Sequence, residues 1–223
     1  MSLRLRFMTT TLKASNLNLK AVVRMDLTLN MSRVIGIYAP QKYGKTFLIH
    51  YLLELYLRNK KACFLYDTDM ERNTTYSDLA GLNFVYSRRL SDMEDQEFFN
   101  DTILKLRAQY SNFVLAVEDI DKLLQSPVKS SETLEIYRLA SDSRHQRIAV
   151  IYSTKTPSYI PTTLRLNTNL FFFGKFVEPD FVKWITTIVP KQTYSKIKKP
   201  EFVMLDVWTS NYAIVRYDLD RNT

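Results

Sequence analysis

Cysteine, histidine and glycine are all scarce: one Cys, two His and four Gly in 223 residues. The lone thiol, Cys63, cannot close a disulfide within the chain, so the sequence is compatible with a reducing compartment. So few Cys and His exclude a structural zinc site of the usual kind. No apolar run approaches the roughly 18 residues needed to span a bilayer, and we expect no integral membrane segment. The opening "MSLRLRF" lacks the hydrophobic centre of a secretory signal. No repeat or low-complexity tract is visible.

What the chain does have is a globular composition, 46% apolar and 24% charged, with enough length for one sizeable α/β domain and too little for two. We therefore expect a single domain over 1–223, with an arm or short strands at 1–30 and the core over 31–220. The formal charge of +8 and a pI near 9.4 suit a polyanionic partner, nucleic acid or a membrane surface, although solubility alone also accounts for such an excess. Basic residues gather in "KQTYSKIKKP" (191–200), in "YSRRL" (86–90) and along the first 24 residues.

Apolar runs of strand length alternate with helical patterns through the middle of the chain. Strands are expected at about 33–38, in "KACFLYDTD" ending at Asp67, briefly in "LNFVYS", and then in "NFVLAV", "RIAVIYST" and "LFFFGKF". "SDME" from Ser91 writes a capping box with Glu94 ahead of the helix "EDQEFFNDTILKLRAQY". "SPVKSSET" reads as a loop, "LEIYRLASDS" as a helix, and another helix falls near 179–188. The strands are apolar on both faces, which predicts a mostly parallel sheet covered by helices on each side. "EFVMLDVW" and "YAIVRYDL", separated by "TSN", predict a hairpin at the sheet edge.

The first of these strands runs into "APQKYGKT": Ala39, Pro40, Gln41, Lys42, Tyr43, Gly44, Lys45 and Thr46. A nucleoside triphosphate needs a ring of backbone N–H groups, a cation on its β and γ phosphates and a hydroxyl on magnesium. The loop offers all three, with Lys45 and Thr46 opening a helix whose positive end faces the anion. Gly44 stands where the chain passes closest to the phosphates. Ala39 replaces the usual first glycine; that position serves mainly the turn out of the strand, and alanine is the smallest substitute. An ordinary strand-to-helix turn with exposed lysines is the plain alternative.

Hydrolysis also needs acids at the tip of a neighbouring strand. "FVLAVEDID" places Glu118, Asp119 and Asp121 directly after a buried run. One carboxylate would hold magnesium through water, and another would orient or deprotonate the attacking water. We take Glu118 as the metal-side residue, with Thr46, and Asp119 as the water-activating one; the reverse order is the alternative. The plain reading, capping of the next helix, fits Asp121 better than the other two. Thr154 and Lys155 end the strand "RIAVIYSTK" and are candidates to sense the γ-phosphate, Lys155 equally as a surface lysine.

"APQKYGKT", "FVLAVEDI" and "SRHQRIAVIYSTKTPSYIPTTLRLNTNLFFFGKF" together resemble the FtsK–HerA superfamily, and most closely its viral branch, the genome-packaging ATPases of membrane-containing DNA viruses. The resemblance spans roughly 33–217. Its third segment carries Arg144–His145 before a buried strand, a polar sensor position, Pro161, Arg165 and Asn167, and a final aromatic strand. Two residues depart from the pattern: Ala39, and Lys155 where the family commonly has glutamine. The resemblance implies a RecA-like P-loop fold, ATP and Mg2+ as cofactors, and ATP-driven translocation of double-stranded DNA by a ring of five or six subunits. It further implies work in the virion or host cytoplasm, with a capsid or membrane protein of the virion as a partner. In such a ring an arginine reaches the neighbour's γ-phosphate; Arg144 and Arg165 match the family's arginines, Arg144 preferred, and for either the alternative is a surface ion pair. Lys122, Lys129 and the 191–200 run are candidates to touch DNA phosphates. A non-translocating switch of the helicase-loader kind is the competing function, and it would call for a helical lid domain where the C-terminal strands stand.

Overall fold

The computed structural model describes residues 4–8, 33–67, 75–86, 92–124 and 135–218. Among these residues nine strands form one sheet. In chain order the elements are β1 (Arg4–Met8), β2 (Val34–Tyr38), α1 (Lys45–Arg58), β3 (Ala62–Asp67), β4 (Leu82–Tyr86), α2 (Asp92–Gln109), β5 (Phe113–Val117) and α3 (Asp121–Leu124). Then come α4 (Glu135–Gln146), β6 (Ala149–Thr154), α5 (Thr162–Asn167), β7 (Leu170–Phe173), α6 (Pro179–Ile188), α7 (Lys191–Lys196), β8 (Phe202–Asp206) and β9 (Asn211–Asp218). Across the sheet the order is β1-β9-β8-β7-β2-β6-β5-β3-β4.

The six strands from β7 to β4 are parallel; β8, β9 and β1 continue the sheet antiparallel. Each residue of β2 and of β5 is buried, because helices cover both faces and an alternating polar face would have no water to meet. On one face α1 packs Leu48, Ile49, Leu52, Leu53 and Tyr56 against the sheet. On the other, Phe99 and Ile103 of α2, Leu139 of α4, Leu164 of α5 and Ile185 of α6 close a second core.

The expected hairpin forms, as β8 and β9, but it is not the outermost edge. β1 pairs along β9, Arg4 opposite Asp218 through Met8 opposite Ile214, so a piece of the expected N-terminal arm completes the sheet. The rest of residues 1–30, the capping box at Ser91, the loop "SPVKSSET" and Lys129 lie outside the described residues. Part of the basic run 191–200 coils as α7, which charge alone does not announce.

The topology fixes where chemistry can occur. Parallel strands all end at the same edge, and loops leaving that edge converge. β2 sits in the middle, with β6 between it and β5. The β2 loop and the β5 tip therefore open on the same side, about 10 Å apart by strand spacing.

Candidate functional site

β2 delivers the chain into residues 39–44, and the loop's shape comes from three local choices. Gly44 adopts φ 104°, ψ 21°, a left-handed conformation that disfavours a side chain. Lys42 takes φ 57°, the second left-handed residue of the turn. Ala39 is fully buried and donates its N–H to Thr154 O at 3.1 Å, locking the turn to the tip of β6.

The alanine has a structural complement. A Cβ built on Gly174, just past β7, would lie 2.7 Å from the Ala39 Cβ and 2.8 Å from the Tyr43 ring. The missing loop glycine is thus matched by a glycine on the neighbouring strand, which leaves room for the Ala39 methyl. Tyr43 is itself buried; its hydroxyl donates to Glu201 O at 3.0 Å and its ring meets Phe202 edge-on, centroids 5.3 Å apart.

Lys45 is only 7% exposed, and its ammonium donates to Pro40 O at 3.3 Å and lies 3.7 Å from Asp119 Oδ1. The Thr46 hydroxyl donates to Glu118 Oε1, while Tyr76 donates to Glu118 Oε2 at 2.8 Å. Burial pushes the Glu118 carboxyl up, hydrogen bonds from Thr46 and Tyr76 work against this, and Asp67 and Asp119 add to it, leaving the group at about 7. Asp119 holds φ 46°, a strained conformation that Asp tolerates better than most residues, and its N–H is held by Ser153 Oγ at 2.9 Å.

The structure thus brings the phosphate-loop residues and both carboxylates around one crevice of about 440 Å3, lined from Gln41 to Phe47 and by Glu118, Asp119, Lys199 and Pro200. Thr46 and Glu118, already in contact, form the oxygen pair that would hold Mg2+. That donor set fits the ion, which keeps most of its waters and takes one or two protein ligands beside substrate phosphates.

Asp121 does something other than cap a helix. Fully buried, it accepts from the Thr154 hydroxyl and, at 2.9 Å, from the Lys155 N–H. The Thr154 hydroxyl is therefore committed to Asp121, which leaves Lys155, half-buried just past the β6 tip, as the sensor candidate.

Arg144 and Arg165 are not brought to this crevice. Both end helices that lead into β6 and β7, which puts them at the opposite edge of the sheet. Arg144 is exposed and lies over Trp208 at 5.5 Å, beside Arg33, which stacks on the same ring at 4.0 Å and grips Asp206 with two 2.9 Å bonds. Arg165 lies over Trp184 at 5.6 Å and donates to Thr162 Oγ1 at 3.3 Å, along an apolar groove of about 700 Å3. Asn167 ties α5 to α4 through Ser141 Oγ at 3.1 Å. Lys122 sits in the short helix α3, directly after the carboxylates that follow β5.

Sequence reasoning passed over Tyr76, Ser153 and Gly174, and it read 199–200 only as part of a basic run directed at DNA phosphates rather than at the crevice. Ser153 carried a signal, a polar residue inside an otherwise apolar strand. Tyr76 carried none, because what matters is its proximity to Glu118 in space.

The fold is that of a P-loop NTPase with one strand inserted between the loop strand and the carboxylate strand. In particular, it is similar to B204, the DNA-packaging ATPase from Sulfolobus turreted icosahedral virus, with 20% identity, TM-score 0.66, and 84% of this chain and 98% of that one covered. B204 from Sulfolobus turreted icosahedral virus 2 in complex with AMPPCP is similar at 20% identity and TM-score 0.68, over 86% of this chain and all of that one. EssC (ATPases 2 and 3) from Geobacillus thermodenitrificans matches at 15% and 0.61, over 86% of this chain and 40% of that one. At such identities the likeness is one of fold, and it is the fold that the FtsK–HerA resemblance implies. No protein-family model matches the chain, and no curated protein is detectably similar to it in sequence. Among the described residues no helix is long and apolar enough to cross a membrane.

Proposed function

We propose that this chain is an ATPase that drives double-stranded DNA, in the manner of the packaging NTPases whose fold it shares, and that it works as a ring of five or six subunits on a viral genome, in the virion or host cytoplasm beside a capsid or membrane protein of the virion. One observation carries the reading: the ammonium of Lys45 and the hydroxyl of Thr46, from the loop after β2, meet the carboxylates of Asp119 and Glu118, from the tip of β5. These are the groups that phosphoryl transfer to water requires, and they are gathered at one crevice.

In this reading the loop N–H groups and Lys45 bind the phosphates and stabilise charge that grows on the γ-phosphoryl oxygens. Thr46, and Glu118 through water, would hold Mg2+, which would supply positive charge against the phosphates. Asp119 orients the attacking water and accepts its proton; its backbone, fixed by Ser153, aims the carboxylate toward Lys45 and the loop. Lys155 answers the γ-phosphate from β6. The basic surface supplies sequence-indifferent phosphate contacts, so DNA binding falls as salt rises.

The test is ATP turnover with and without duplex DNA. Turnover should rise with DNA, vanish in Lys45→Ala with the fold retained, and vanish in Asp119→Asn with nucleotide binding retained. Turnover indifferent to DNA in every oligomeric state would favour a switch over a motor. Loss of nucleotide binding in Asp119→Asn would reverse the roles of the two carboxylates.

A further inference from the structure

The nucleotide crevice has two flanks, and the ATPase reading uses only one. Glu118 and Asp119 reach it from β5, two strands from β2 on one side. Lys199 and Pro200 reach it from the other side, immediately before β8, which is two strands from β2 by way of β7. They arrive at the phosphate edge because β8 runs antiparallel to β7: Val203 pairs with Phe173 at that edge, and Asp206 pairs with Leu170 at the far one. From β5 to β8 is four strand spacings, about 19 Å, room for an extended nucleoside triphosphate lying across the strand tips.

We propose that the Lys199–Pro200 segment is the nucleoside end of this site, with Lys199 a nucleotide-binding residue and Pro200 a wall for the base. The inference rests on the ATPase reading. If the γ-phosphate lies against the carboxylates of β5, the rest of the nucleotide runs toward β8, where an exposed ammonium and an apolar ring line the crevice. Lys199 is then set to meet charge on the phosphate nearest the ribose, and Pro200 offers a flat apolar surface to a purine.

The segment is not an independent flap. Tyr43, inside the phosphate loop, donates its hydroxyl to Glu201 O and packs edge-on against Phe202, so the loop and the far flank are lashed together by one side chain. Nucleotide seated on one is read by the other. This also divides the basic run 191–200: Lys199 serves the nucleotide, whereas Lys191, Lys196 and Lys198 are exposed without lining the crevice.

The experiment is a fluorescence titration of the full chain with mant-ADP, run beside duplex-DNA binding. Wild type should bind mant-ADP and Lys45→Ala should not; failure of that pair would remove the ATPase reading, and this inference with it. Given that pair, Lys199→Ala should weaken mant-ADP about 5- to 10-fold, as expected for one partly solvated charge-assisted hydrogen bond, and Lys199→Arg should restore most of the loss. Tyr43→Phe, which keeps the ring and removes the tether to Glu201, should weaken mant-ADP by a smaller factor without lowering the thermal midpoint by more than a few degrees. DNA affinity should not change in Lys199→Ala. Unchanged nucleotide affinity in Lys199→Ala would overturn the proposal while leaving the ATPase reading standing, and a fall in DNA affinity alone would assign the residue to DNA instead.

Discussion

Gly174→Ala is the sharpest probe of how this loop tolerates Ala39. The added methyl would stand 2.7 Å from the Ala39 Cβ and 2.8 Å from two carbons of the Tyr43 ring. Contacts that short do not persist, so something must shift. Neither neighbour yields freely: the Ala39 Cβ sits on backbone bonded to Thr154 O, and Tyr43 is pinned by Glu201 O and Phe202. Overpacking of this kind costs about 1–3 kcal/mol, which for a chain of this size lowers the unfolding midpoint by roughly 2–12 °C. The displaced atoms belong to the phosphate loop, so mant-ADP affinity should fall with stability. Ala39→Gly alone should cost about 1–2 kcal/mol, from the lost buried methyl and the freer unfolded backbone. In the double variant the two changes offset each other. The cycle should show a coupling of at least about 0.5 kcal/mol in the favourable direction, with the remainder assigned to the Tyr43 clash. Denaturant unfolding of the four proteins reads every term. A neutral Gly174→Ala, or strictly additive variants, would refute the view that the loop's glycine has been exchanged across β2 and β7.

The carboxylates supply two further outcomes. Glu118 lies at about 7 against an ordinary 4.5, so between those values the folded chain holds a proton that the unfolded chain has released. Stability contributed at this site is therefore present at low pH and is lost as pH rises to about 7, by about 3 kcal/mol in all. Glu118→Gln should remove that slope, and urea unfolding at pH 5 and pH 8 should find the variant gaining on wild type only at the higher pH; equal gaps at both would refute it. Asp121→Ala should leave the Thr154 hydroxyl and the Lys155 N–H buried without their acceptor, costing about 2–4 kcal/mol and slowing ATP turnover by misplacing Lys155, whereas full turnover would mean that the β6 tip is irrelevant to chemistry.

The parallel sheet was legible because the strands with helices on both faces are apolar throughout. "APQKYGKT" and "FVLAVEDID" could be placed because polar residues directly after a buried strand must lie at the sheet's edge. What stayed hidden was whatever depends on contacts distant in sequence. The Asp121 carboxylate sits at a helix start, which reads as capping, yet its partners are 33 and 34 residues away on β6. Gly174 has no local reason to be glycine; its reason is the methyl of Ala39, far earlier in the chain. Lys199 looked like one charge in a basic run, because only the reversed direction of β8 carries it to the crevice. The N-terminal segment was legible only as an arm or short strands, and its place in the sheet was not, because a short strand is positioned by the open edge that β9 offers.

The two family-pattern arginines pose the remaining geometric problem. From Arg33, just before β2, to Ala39, just after it, there are six steps of about 3.3 Å, so the two edges of the sheet stand about 20 Å apart. Arg144 shares Trp208 with Arg33 at one edge, and Lys45 lies at the other. No arginine side chain spans that distance, so a role for Arg144 in hydrolysis requires the crevice of another subunit. The requirement is testable by mixing. Lys45→Ala subunits keep Arg144 but cannot hold phosphate; Arg144→Ala subunits keep an intact crevice but offer no arginine. Each alone should be inactive if the residue acts between subunits. Mixed, they create interfaces where an intact crevice faces an intact Arg144, and turnover should return in proportion to such pairs. If Arg144→Ala is fully active alone, the guanidinium serves the Trp208 stack and nothing more. If it is inactive alone and mixing restores nothing, the loss is one of folding, and the role between subunits passes to Arg165, whose guanidinium already borders an apolar groove at that far edge.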